Sequence, residues 1–149
     1  MKKIQLGVGA CLFALVAALS AQNAAPKKTD DAAQLQRGKY LVEKTGMCAD
    51  CHTPFTEKGP DMSKHLQGAT LMFKPTMPVP DWADRSANIA GMKGWTDDDA
   101  IKFLTTGIGP NGKAARPPMP AYRFNKKDAA AILVYLRSVA PAGKEEAAK

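Results

Sequence analysis

At 149 residues the chain has room for one domain with a modest core. Its 21 Lys and Arg against 14 Asp and Glu give a formal charge of +7. The basic residues are scattered instead of clustered beside aromatic platforms, which excludes a nucleic-acid binder.

Lys2 and Lys3 precede an apolar run over residues 4–19, and small residues with polar Gln22 and Asn23 follow it. This is the order of a secretory signal peptide, expected over residues 1–21, and it points to the periplasm. Ala18-Leu19-Ser20 offers small residues at both positions that a signal peptidase reads. The competing reading is an uncleaved membrane anchor, because the run approaches spanning length; its many Ala and Gly residues favour removal. Cys11 faintly resembles a lipoprotein box, but only a handful of residues precede it and an apolar run follows. Loss of Lys2 and Lys3 lowers the charge from +7 to +5, a mild excess suited to steering toward an acidic partner face.

Residues 22–30 read as a disordered lead-in, residues 31–141 as the domain and residues 142–149 as a loose tail. A first helix is expected from about Asp31 to Lys44, capped by Asp30 or Asp31, with Leu35, Tyr40, Leu41 and Val42 as its apolar members. Gly38 lies inside it. Glycine costs a helix about 1 kcal/mol relative to alanine, so its presence predicts the close approach of another backbone.

Cys48-Ala49-Asp50-Cys51-His52 follows at once. C-x-x-C-H is the covalent attachment signature of a c-type haem. Positions i, i+3 and i+4 share one helical face, so both thiols can bond the vinyl groups of one flat ligand while the imidazole of His52 ligates its iron. A redox disulfide would want a βαβ context, which the chain lacks. A zinc site needs four ligands, and only His52, crowded against Cys51, and the distant His65 are at hand. An exported chain left with Cys48 and Cys51 has no spare pair for a structural disulfide, so the haem would serve as its staple.

Residues 53–95 are irregular and carry prolines at 54, 60, 75, 78 and 80. A loop of this length needs an organiser, and a buried haem would give it an apolar plate to wrap. Met62, Leu66, Leu71, Met72, Phe73, Trp82 and Ile89 are candidates to pack there, with ordinary core packing the equal alternative for each.

A second helix starts at Thr96, with Asp99 three residues on as in a capping box and Asp97 and Asp98 at the positive end of the dipole. Ile101, Phe103 and Leu104 form its apolar stripe and Gly107 stops it. Gly107-Ile108-Gly109-Pro110-Asn111-Gly112 matches G-x-G-x-x-G by letter, but it follows a helix and runs into turn residues, so it reads as a loop and not a dinucleotide site. A third helix begins at Asn125, with Asp128 behind it and Ile132, Leu133, Leu136 and Val139 on one face, and ends before Pro141 and Gly143. No strand alternation of any length is present, so the class is all-α.

The second axial ligand sets the chemistry. A methionine raises the potential and closes the iron, a second histidine lowers the potential, and an open site makes a sensor or catalyst. Candidates are Met47, Met62, Met72, Met77, Met92, Met119 and His65. Met119 in Arg116-Pro117-Pro118-Met119-Pro120 is braced by prolines that fix φ around it. Met77 in Pro75-Thr76-Met77-Pro78 has nearly the same setting, and local physics does not separate the two sharply. Position favours Met119, which lies between the two later helices. The other methionines read as core filler and His65 as a solvent-facing loop residue.

Together these residues resemble a class I cytochrome c over about residues 35–140. The likeness runs from Gly38-Lys39-Tyr40-Leu41 through Cys48-Ala49-Asp50-Cys51-His52-Thr53 and the proline-flanked Met119 to Tyr135-Leu136-Arg137-Ser138. It implies three main helices and long irregular loops around one covalently attached haem c, with the first and last helices crossing near Gly38, Tyr40 and Tyr135. It also carries the distal methionine onto Met119 and not Met77. Asn88-Ile89, Gly94-Trp95-Thr96-Asp97 and Pro118-Met119-Pro120 look like the haem domains of periplasmic dehydrogenase cytochrome subunits. By this likeness Asn88, Trp95 and Arg116 are propionate or haem-edge contacts. The chain departs in having one C-x-x-C-H where those subunits usually carry two or three.

The implied function is electron transfer and not catalysis. The donor would be a dehydrogenase or quinol-oxidising complex and the acceptor an oxidase or reductase, with membrane contact only if the N-terminal segment is retained. The alternative is a haem sensor or peroxidase-like enzyme with an open sixth site, which needs a distal polar group that the sequence does not offer.

Overall fold

The structure, a computed structural model, describes residues 27–139. The expected signal peptide, residues 22–26 of the lead-in and the C-terminal tail lie outside them. Among the described residues no helix is long and apolar enough to cross a membrane.

Helix α1 spans Lys27–Tyr40, so it starts four residues before the expected Asp31. It runs without a break into a π turn, Leu41–Thr45, closed by the Gly46 amide donating to the Leu41 carbonyl at 2.7 Å. Such turns gather at functional sites, and this one delivers the chain to α2, Cys48–His52. Helix α4, Lys126–Ser138, crosses α1 at the glycine. A Cβ on Gly38 would sit 1.9 Å from the Ala131 carbonyl oxygen, so the predicted close approach is there and only glycine permits it. Arg37 grips Asp128 beside the crossing through Nε and Nη2, at 2.8 and 3.1 Å. Tyr40 does not join the apolar face: it is 55% exposed, with the Arg37 guanidinium over its ring. Gly38, Leu41 and Val42, at i, i+3 and i+4, turn inward together, and a residue two positions from Gly38 points away from them.

Helix α3 is Asp97–Thr106. Thr96 caps it by accepting from the Asp99 amide at 3.1 Å, and Gly107 ends it with φ near 76°. Asn125 caps α4 in the same way, accepting from the Asp128 amide at 2.9 Å. All three boundary signals act as the sequence predicts, because each is satisfied within one turn of chain. Leu104 of α3, Ile132, Leu133 and Leu136 of α4, and Leu41 and Val42 of the π turn share one core. Full burial of each such side chain stabilises by about 1.5–3 kcal/mol. Arg137 then closes the end of α4 onto the preceding loop, donating to the carbonyls of Gly91 and Trp95 and, at 2.6 Å, to Asp97.

The domain is mostly helical. Strand structure among the described residues is one antiparallel pair, β1 Phe55–Thr56 with β2 Gly59–Pro60, and two isolated bridges. The long loop is ordered by hydrogen bonds to fixed points: Gly68 N to His52 O at 2.7 Å, Ser86 N to Ala69 O at 2.8 Å, Ala83 N to Pro117 O at 2.7 Å. Leu66 is fully buried in the core. Leu71 and Ile89 line the cavity described below, whereas Met62, Met72 and Phe73 are exposed. Trp82 packs edge-on against Phe73, with ring centroids 5.9 Å apart.

Candidate functional site

Helix α2 is a single turn that presents Cys48, Cys51 and His52 to one cavity, as the i, i+3, i+4 spacing requires. His52 is only 5% exposed, and its Nδ1 lies 2.7 Å from the Ala87 carbonyl oxygen. A carbonyl only accepts, so Nδ1 carries the proton and Nε2 keeps its lone pair for a metal. Burial pulls the imidazole pKa below its usual value against the opposing effect of the Ala87 bond, which favours the neutral, ligating form. Burial also pushes the Cys48 thiol up to about 11 and raises that of Cys51. A disulfide-exchange site needs the reverse, a thiol lowered toward neutrality. No disulfide joins the two cysteines, and among the described residues no three His, Cys, Asp or Glu side chains converge as a metal cage.

The turn is held from behind by residues that sequence reasoning missed. Ser86 Oγ donates to the Cys51 carbonyl at 2.6 Å and accepts from the Ala69 amide at 2.8 Å, which fixes Ala87 next to His52. Gly68 packs so tightly there that a Cβ would lie 2.7 Å from the Ser86 carbonyl oxygen. His65, expected to face solvent, is instead only 15% exposed and is held by Glu43 at 2.9 Å and Thr53 at 3.3 Å. Tyr135 donates to the same Glu43 oxygen at 2.6 Å, so the π turn, the end of the motif, the loop and α4 meet in one network.

The cavity has a volume of about 440 Å³, within the range of about 300–1,000 Å³ typical of small-molecule and cofactor sites. Its lining is largely apolar, with Phe103 and Leu104 from α3 and Ile132 and Leu136 from α4. Met119 lines it together with Pro118 and Pro120, whereas Met77 stands 74% exposed outside it. Of the methionines expected as core filler only Met92 is buried, and it too lines the cavity. Met47 lines the cavity but is mostly exposed, and Met62, on a short 3-10 turn, and Met72 and Met77, on loops, face solvent. Loop positions carry no periodicity from which burial could be read.

Asn88, Trp95 and Arg116 all line the cavity. Each is also engaged locally. Asn88 Oδ1 accepts from the Ala90 amide at 2.9 Å, Trp95 packs edge-on against Phe103 at 5.3 Å, and Arg116 donates to the carbonyls of Asp81 and Trp82 at 2.9 and 2.8 Å. Arg85 is a second guanidinium in the lining, with no sequence signal beyond its place three residues before Asn88. Tyr122 lines the cavity three residues after Met119.

Residues 35–140 match the family model described as cytochrome c. The chain belongs to the cytochrome c family. It is 34% identical over 114 residues to the fructose dehydrogenase cytochrome subunit of Gluconobacter japonicus, covering 69% of this chain and 21% of that protein. It is 32% identical over 117 residues to a diheme cytochrome c-type protein of Cereibacter sphaeroides, covering 74% of this chain and 37% of that one. A gluconate 2-dehydrogenase cytochrome c subunit of Pantoea cypripedii is 34% identical over 77 residues, 49% of this chain and 18% of the relative. The chain thus spans well under half the length of these relatives.

Membership of the cytochrome c family implies covalent haem c, and Cys48 and Cys51 fit its attachment motif. The site's own chemistry fits that group. It offers two unpaired thiols, an imidazole with Nε2 unprotonated, an apolar cavity of cofactor size, and two guanidiniums in its lining to meet carboxylates.

Proposed function

We propose that the chain is a periplasmic electron carrier with one c-type haem. Cys48 and Cys51 form its thioethers, and His52 and Met119 are its axial ligands. The observation that carries this reading is that His52, with its Nδ1 proton committed to Ala87, and Met119 line the same apolar cavity as both cysteines. When bound, the haem supplies a one-electron Fe(II)/Fe(III) couple. The chain's residues do the rest. Ala87 and Ser86 hold the His52 ring in one tautomer and orientation. A thioether from Met119 favours the reduced state and denies the iron to small molecules. The walls from α3 and α4 keep water away, which raises the cost of the extra positive charge on oxidation. Arg85 and Arg116, both in the cavity lining, would pair with propionates, and Asn88 and Trp95 would contact the edge of the ring.

The relatives' names support a dehydrogenase as electron donor; a quinol-oxidising complex is the other donor class of this reading, and an oxidase or reductase its acceptor. The signal-peptide order of residues 1–21 supports the same compartment, since c-type haem is attached outside the cytoplasm. An absorption spectrum of the oxidised holoprotein tests the assignment. A weak far-red sulfur-to-iron band, with no spectral change on adding carbon monoxide to the reduced form, is the expected result. Rapid carbon monoxide binding at neutral pH would instead give the iron an open site and overturn the carrier reading.

A further inference from the structure

Tyr122 has no role in the scheme above, yet its hydroxyl donates to the Gly46 carbonyl, 76 positions away in sequence. Gly46 ends the π turn and stands two residues before Cys48. A Cβ there would lie 3.1 Å from the Leu41 carbonyl oxygen and 3.2 Å from Cys48 Sγ, so the acceptor is part of a tightly packed junction. Tyr122 itself stacks on Phe124, with centroids 5.1 Å apart and planes at 20°, and the Phe124 amide is bonded to the Leu104 carbonyl of α3 at 3.1 Å. At its other end the Met119 segment is tied by Arg116 and Pro117 to residues 81–83. Met119 therefore sits on a short arm anchored at both ends, and Tyr122 supplies the link from that arm to the haem-attachment turn.

We propose that Tyr122 is a positioning residue: its hydroxyl latches the Met119 arm to Gly46 and so holds the thioether on the iron against competing ligands. This rests on Met119 being the sixth ligand. Without the latch the arm keeps its ties at Arg116, Pro117 and Phe124, but the stretch between them that carries Met119 gains freedom to move away from the attachment turn. The Gly46 carbonyl is then left to find water in a site that is closely packed.

The test compares the oxidised full-length holoprotein with its Tyr122→Phe variant, which keeps the ring and its stacking on Phe124. Imidazole is the probe. It enters only when Met119 leaves, so its uptake rate reads the opening of the arm. Tyr122→Phe should take up imidazole about three- to tenfold faster, the range of one net hydrogen bond, and should lose the far-red band at a lower pH than wild type. Ala129→Gly, in the buried face of α4, weakens the fold by a similar amount without touching the arm and should leave imidazole uptake unchanged. Equal uptake by wild type and Tyr122→Phe overturns the latch, as does equal acceleration by Ala129→Gly, which would make the effect general loosening. A wild-type protein with no far-red band overturns the Met119 assignment and the latch together. A band that is present with unchanged uptake overturns the latch alone.

Discussion

Met77 and Met119 sit in nearly interchangeable sequences and in opposite environments. Both are bracketed by prolines, so both backbones are stiff before folding begins. Met119 lines the cavity, half-buried, while Met77 stands in solvent. What separates them is anchorage. The Met119 segment is tied through Arg116 to the 81–82 carbonyls, through Tyr122 to Gly46 and through Phe124 to α3, and Ala121 packs against Gly107. Among the described residues, no hydrogen bond ties residues 72–78 to another segment. Proline lowers the entropy cost of holding a side chain in place, but it does not choose the place. Tertiary bonds to elements already fixed do that.

The comparison breaks most completely at Met119 itself. Met119→Ala should fold, since the side chain is only half-buried, but it should lose the far-red band, bind carbon monoxide in the reduced state and show a lower midpoint potential by redox titration. A variant that keeps the band would move the sixth ligand elsewhere, with Met47 and Met92 the other methionines in the cavity lining.

Anchorage can also be weakened with the Met119 side chain left intact. Gly107 has φ near 76° and a Cβ there would lie 2.7 Å from that of Ala121, two residues from Met119. Gly107→Ala should therefore lower stability by about 1–2 kcal/mol from the left-handed backbone alone, measured by denaturant unfolding. The packing clash should also dim the far-red band at neutral pH. An unchanged band with the same loss of stability would show that Ala121 does not help to set the arm.

How far these differences could be read from sequence depends on how local their causes are. The Thr96 and Asn125 caps and the Gly107 stop each need only one turn of chain, and all three act as written. Gly38 announces a crossing because a glycine inside a helix is costly without one, and Ala131 occupies the space. The attachment motif is legible because its three side chains must share one turn. The supports behind it are not. Ser86 and Ala87 reach His52 and Cys51 across 35 positions, from a loop with no period to interpret. His65 reads as an exposed loop residue for the same reason, since its partner Glu43 comes from the π turn and is shared with Tyr135 of α4. Tyr40 failed in the other direction: it is apolar enough for the core, but the inward face is set by Gly38, and Tyr40 lies off it.

The smallest expected effect falls on Met77, and it is the sharpest control. Met77→Ala removes an exposed side chain from a segment bonded to nothing else, so stability should change by no more than about 0.5 kcal/mol. The far-red band, the midpoint potential and resistance to carbon monoxide should all match wild type. Its value lies in the pairing with Met119→Ala, since one proline-braced methionine lies on a segment tied to the fold and the other on a segment that is not. If Met77→Ala abolished the band and Met119→Ala spared it, the loop over residues 72–79 would have to fold inward over the haem. Tertiary anchorage in the present arrangement would then not be what selects the ligand.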